Sequence, residues 1–174
     1  MVMQNVTKYI GEYYKGKKNS GVVLIAIGIA MIILAWIGLR NVKGEIVYGL
    51  IFGAVPSGVA QILYGLGILI QADLEKSRML KQIAAKVKSS LIKESKTIES
   101  RVLRYTKTRK ILEFTFGISF ILIFLGMAKV ISSIGFGLAV ALLLQTAVII
   151  AFNLFAERRT AEYSRRLKHA IDKI

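Results

Sequence analysis

The chain has 174 residues, 55% of them hydrophobic, with a mean hydropathy of +0.57 and a formal net charge of +15. A soluble domain of this size is normally about 45–50% apolar, so the composition points to a bilayer as solvent. The absence of cysteine excludes a disulfide framework, a thiolate nucleophile and a thiolate metal site.

The charge is segregated. Of 25 Lys and Arg, four precede Ser20, twelve lie between Asp73 and Lys110, and six follow Phe155. Basic blocks alternating with apolar runs mark cytoplasmic segments of a membrane protein. Topology thus accounts for the charge, and nucleic acid is not expected as a partner. The start does not read as a cleavable signal peptide, because the first apolar run is a full span without a small-residue cleavage pattern.

In Met1 to Lys18, the spacing of Met3, Val6, Ile10 and Tyr13/Tyr14 predicts a short amphipathic helix. Gly11 and Gly16 should interrupt it. It should lie at the cytoplasmic interface, with Tyr9, Tyr13 and Tyr14 at headgroup level. Residues 21–39 carry no charge and form the first span, about the ~20 residues needed to cross ~30 Å of hydrocarbon. Trp36 is its far anchor, and Arg40 to Glu45 is a turn. Residues 46–72 form the second span. Pro56 should kink it, having no N–H for the Phe52 carbonyl, and Gly49, Gly53 and Gly58 let another helix approach.

Ile68 to Phe116 contains neither Gly nor Pro. Leu80, Ile83, Val87, Leu91, then Ile98, Val102 and Tyr105 recur at helical spacing. Since both ends of this stretch are in the membrane, a reversal is expected, in the polar run 89–95. Cytoplasmic helices are predicted over 73–88 and 96–110. The third span covers 111–128, with Glu113 at its mouth, and the fourth covers 134–156 after a short outer turn. Residues 157–174 read as a basic amphipathic tail, with Tyr163, Leu167, Ala170/Ile171 and Ile174 on one face.

An internal repeat is suggested at an offset of 84. Phe52-Gly53 then matches Phe136-Gly137, Gln61 matches Gln145, Ala72 matches Ala156, Asp73 faces Glu157, and Ile83 faces Leu167. At an offset of 88, Ile98 and Val102 fall where Ile10 and Tyr14 are. The expected fold is all-α: a polytopic membrane protein with four transmembrane helices in two related two-span halves, 1–88 and 89–174. Cytoplasmic amphipathic helices extend the spans, and both termini lie on the cytoplasmic side of the cell (inner) membrane.

Gln61 and Gln145 are the sharpest candidate pair. An amide in hydrocarbon seeks a hydrogen bond. The two are expected to bond across the interface between halves, or else to line a polar path extended by Ser57, Tyr64, Thr146 and Asn153. No ionisable residue lies deep in a span, which speaks against proton-coupled transport and voltage sensing. The only His, His169, sits one turn from Arg165 on a solvated helix. No metal-ligand, P-loop or dinucleotide motif occurs, and no cofactor is expected. Asp73 and Glu157 read as local charge balance where helices leave the membrane. Lys81, Lys86, Lys88, Arg101, Arg104, Arg158, Arg159, Arg165 and Arg166 are expected to face anionic lipid headgroups or a cytoplasmic protein. The function expected is a non-enzymatic accessory, scaffold or immunity-type component that acts through these basic helices and through homo-oligomerising spans. The alternative is a small oligomeric channel lined by the second and fourth spans.

Overall fold

The computed structural model describes residues 2–41 and 43–173. The expectations for Met1, for Val42 in the first turn and for Ile174 on the tail lie outside these residues, as does the side-chain placement of Met3. Four helices make up the described chain: α1 (Val2–Asn41), α2 (Glu45–Ala85), α3 (Val87–Met127) and α4 (Ser133–Ile171). A 40-residue helix is about 60 Å long, twice the thickness of a bilayer's hydrocarbon core. Each helix carries a segment long and apolar enough to cross a membrane. By length and composition, the protein is an all-helical, multi-pass membrane protein with four candidate spans.

α1 pairs with α2 and α3 with α4, and each pair turns tightly at the same end of the molecule. Gly44 opens α2 at φ +156°, a conformation L side chains rarely adopt. In the second turn Lys129 takes φ +61°, and the Val130 N–H closes back on the Leu125 carbonyl at 2.8 Å. The Ser132 hydroxyl accepts the Gly135 N–H at 3.1 Å and caps α4. The opposite end collects the α2–α3 junction and the basic segments of all four helices.

Three expectations are corrected. The reversal between α2 and α3 falls at Lys86, not within 89–95. Lys86 alone leaves helical geometry, at φ −149° and ψ 93°. The Lys86 N–H and the Ser90 hydroxyl both donate to the Gln82 carbonyl, at 2.9 and 3.0 Å, and so satisfy the frayed end of α2. Residues 89–95 stay helical because this turns Leu91 and Ser95 inward. The second correction concerns the first segment, which is neither interrupted nor laid on the interface. It is the first part of a continuous α1 and packs among the other helices. The third concerns Tyr13 and Tyr14, which are core residues rather than interfacial anchors. Tyr13 stacks on Tyr163 (4.2 Å between ring centres, 9° between planes) and meets Tyr14 edge-on at 5.1 Å. Pro56 lies within α2 and is exposed.

Packing differs between the two ends. Through the spans, small residues bring backbones together. A Cβ at Gly21 would lie 2.8 Å from the Gly65 carbonyl oxygen, and one at Gly28 would lie 2.6 Å from that of Gly58. This seals α1 against α2. α2 and α4 run parallel. A Cβ at Gly49 would run into the Ile134 carbonyl, one at Gly137 into the Ile46 carbonyl, and one at Gly53 would lie 2.5 Å from Ala141 Cβ. At the basic end the contacts are between large side chains: Val6, Ile10, Leu91, Ile98 and Leu167 are all fully buried. The physical reason is the solvent. Lipid tails solvate Leu and Phe as well as a protein interior does, so helices in lipid associate by close backbone approach. In water, apolar area must be buried. α2 and α4 are the central pair, with α1 and α3 flanking. The apolar window of α4 is 28% buried and that of α3 only 6%, so α3 presents most of its span to lipid.

Candidate functional site

Gln61 and Gln145 meet. Gln61 Nε2 donates to Gln145 Oε1 at 2.6 Å, in the interior between α2 and α4. The Gly49/Gly137 and Gly53/Ala141 contacts hold these helices close enough for the two amides to reach each other. Gln61 Oε1 remains buried without a partner among the described residues. The other polar span residues do not join the pair. The Thr146 hydroxyl donates to the Leu142 carbonyl of its own helix at 2.6 Å. Asn153 Nδ2 donates to the Tyr105 carbonyl of α3 at 2.8 Å, a second interhelical bond. Tyr64 is 63% exposed toward lipid, and Ser57 is half-buried two turns beyond the Gly49 contact.

Beside this pair lies a cleft of about 420 Å³. α1 contributes Ile27, Met31 and Leu34, α4 contributes Leu144, Gln145 and Val148, and α2 forms the floor with Leu50, Ile51 and Ala54. Toward the basic end, the Tyr13–Tyr163 stack joins α1 to α4. Gln145 supplies the polar side chain in an otherwise apolar wall.

Where the apolar runs end, ion pairs form a belt. Lys18 meets Asp73 at 2.7 Å, Lys17 meets Glu75 at 2.8 Å, and Arg109 meets Glu157 at 2.7 Å. Thr106 adds a hydroxyl donor to Glu157 at 3.0 Å. Arg101 grips Glu75 with both terminal nitrogens, at 2.9 and 3.0 Å, a fork geometry that fixes orientation as well as distance. Glu75 therefore ties α1, α2 and α3 together. Burial opposes its charge, but hydrogen bonds from Lys17 and Arg101 outweigh that and hold the carboxyl below its usual range. Glu94 is the opposite case. Burial pushes its carboxyl up, with Arg101 only partly offsetting, and it accepts the Tyr14 hydroxyl at 3.2 Å. The Tyr14 phenol is driven up by burial and then by the Glu94 charge.

The nine basic residues expected on the surface divide into two sets. Lys81, Lys86, Lys88, Arg104, Arg158 and Arg165 are exposed, and none forms an ion pair among the described residues. Arg101, Arg159 and Arg166 turn toward neighbouring helices instead. Arg101 takes Glu75, and Arg166 takes Glu12 at 2.9 Å and Glu162. Arg159 reaches the Gly16 carbonyl and the Ser20 hydroxyl of α1, the latter at 2.7 Å. Glu75, Glu94 and the Tyr13–Tyr163 stack carry no sequence signature, because their partners lie on other helices. Among the described residues, no group of three His, Cys, Asp or Glu could hold a metal ion. No known family model, curated protein or solved structure matches the chain.

Proposed function

We propose that the protein is a non-enzymatic, membrane-embedded accessory or scaffold component. Its basic end faces the cytoplasm, rests on anionic headgroups and docks an acidic partner protein. The observation that carries this reading is the division of the basic residues. Internal arginines are matched by carboxylates or backbone, while Lys81, Lys86, Lys88, Arg104, Arg158 and Arg165 are left as uncompensated surface charge among the described residues. The buried core beneath them supports a preformed docking body rather than a loose tail. A basic residue near an anionic surface contributes about 1 kcal/mol of attraction.

Two related halves fit the same reading. Gln61 and Gln145, Ala72 and Ala156, Met79 and Tyr163, and Ile83 and Leu167 are buried in pairs at the offset of 84. Lys18 on Asp73 in the first half is mirrored by Thr106 on Glu157 in the second. Gly117 lies on the lipid-facing side of α3, with nothing within 4 Å of the place a methyl group would take, and this supports close approach by a second copy.

The test combines two measurements. A photo-crosslinker at Arg104 should capture one cytoplasmic protein in cells, and Lys81→Glu with Arg165→Glu should abolish the capture while the protein stays folded in the membrane. Proteoliposomes should remain tight to ions and small solutes. Ion flux that disappears in Gln61→Leu or Gln145→Leu would replace this reading with that of a channel.

A further inference from the structure

We propose that the pocket between α1 and α4 around Arg159 and Tyr163 binds a phosphate group at the membrane surface. The pocket has a volume of about 170 Å³ and is walled by Tyr9, Tyr13, Arg159, Tyr163 and Arg166, with Glu12 and Glu162 completing the lining.

Arg159 has no acidic partner among the described residues. Its terminal nitrogen donates to two neutral acceptors, the Gly16 carbonyl and the Ser20 hydroxyl, and its Nε is buried without a partner among the described residues. The arginines nearest it in role are all matched: Arg101 by Glu75, Arg109 by Glu157, Arg166 by Glu12 and Glu162. Both carboxylates of the pocket are thus already committed to Arg166, which leaves the Arg159 charge as the uncompensated one. Among the described residues the Tyr163 hydroxyl, on a side chain only 3% exposed, also lacks a partner. The Arg159 guanidinium lines the pocket with its charge unmatched by any carboxylate among the described residues, and a partly buried charge costs free energy unless a counter-charge meets it. An oxyanion with several acceptor oxygens does so, and guanidinium is the group best shaped to meet it.

The surroundings hold this arrangement in place. A Cβ at Gly16 would lie 2.8 Å from Arg159 Cδ, so glycine there makes room for the arginine stem. The stack of Tyr13 on Tyr163 fixes the phenol. Burial lowers the Arg159 pKa, the direction expected for a cation awaiting its counter-charge. Depth agrees as well. Arg159 stands three residues past Ala156, where the fourth apolar run ends, and Ser20 directly precedes the first span. That is the level of lipid phosphates. The site goes beyond the docking reading and does not rest on it, since the docking residues are the exposed ones.

The experiment uses the full chain in nanodiscs. One arm is neutral lipid with inorganic phosphate added, read by the shift in Tm. The other is lipid containing phosphatidate, read by native mass spectrometry of retained phospholipid. The wild-type protein is expected to respond in at least one arm. Arg159→Gln should weaken that response about tenfold, the effect of one charge-assisted bond. Tyr163→Phe, which keeps the stack, should weaken it less, and Lys43→Gln, with the same change in charge at the opposite end of the molecule, should leave it intact. A response only to phosphatidate assigns the site to lipid, and one only to phosphate assigns it to a soluble ligand. Equal loss in Arg159→Gln and Lys43→Gln, or no response in either arm, would overturn the proposal. Arg159→Lys separates folding from binding: it keeps the charge but lacks the planar guanidinium fork, so a folded variant with full response would also count against the site. Docking fails separately, through Lys81→Glu and Arg165→Glu.

Discussion

Gln61 and Gln145, 84 positions apart, share a 2.6 Å hydrogen bond between parallel helices, yet Gln61 Oε1 stays buried and unpartnered among the described residues. The bond has a cost attached: removing one amide strands the other. Gln61→Leu or Gln145→Leu alone should therefore destabilise the protein by about 1 kcal/mol. The double variant should come close to neutral, because both desolvation penalties vanish together. A double-mutant cycle of unfolding in mixed micelles measures this. Additive losses would mean that the amides act separately.

Glycine contacts set the distance at which that bond forms. Gly49→Ala and Gly137→Ala each push a methyl into a backbone carbonyl that cannot step aside. Each should cost about 1–3 kcal/mol. Gly11→Ala and Gly67→Ala, with nothing within 4 Å of the added carbon, should be neutral or slightly stabilising. Thermal unfolding of the four variants side by side gives the comparison.

Two carboxylates at the basic end predict opposite pH behaviour. The Glu94 carboxyl is raised by burial, so its contribution to stability is complete below the ordinary glutamate pKa and is lost as pH rises through the raised value. Glu94→Gln should raise Tm at neutral pH and change little in acid. In Glu75, burial is outweighed by Lys17 and Arg101, and the pKa is lowered. Its contribution is complete above the ordinary value and is lost as pH falls through the lowered one. Glu75→Gln should lower Tm at neutral pH, with the difference fading in strong acid. Unfolding profiles from about pH 3 to 8 span both windows.

Sidedness follows from cysteine labelling. Cysteines at Lys43 and Ser132 should react with an impermeant reagent from outside, and one at Lys96 only after permeabilisation. Ser95 is a poor probe, because it is 7% exposed within the bundle and would stay silent on either side. Labelling of all three positions in intact cells would contradict a cytoplasmic basic end.

The amino-acid sequence by itself determined the class of molecule. Charge-free runs of span length, basic blocks between them and the short turns around Gly44 and Lys129 are local properties, and they answer to the choice between water and lipid. The small residues Gly49, Gly53 and Gly58 were legible as contact points for the same reason. Only the tertiary structure decided which side chains meet. Lys86 reverses the chain with an extended conformation open to any residue, so composition carried no sign of it. Tyr13 looked like an interfacial anchor and instead stacks on Tyr163, 150 positions away. Arg159 looked like surface charge and instead reaches across to Gly16 and Ser20. These outcomes depend on the rotation and register of one helix against another. Glycine contacts between distant segments set both, and no local period encodes them.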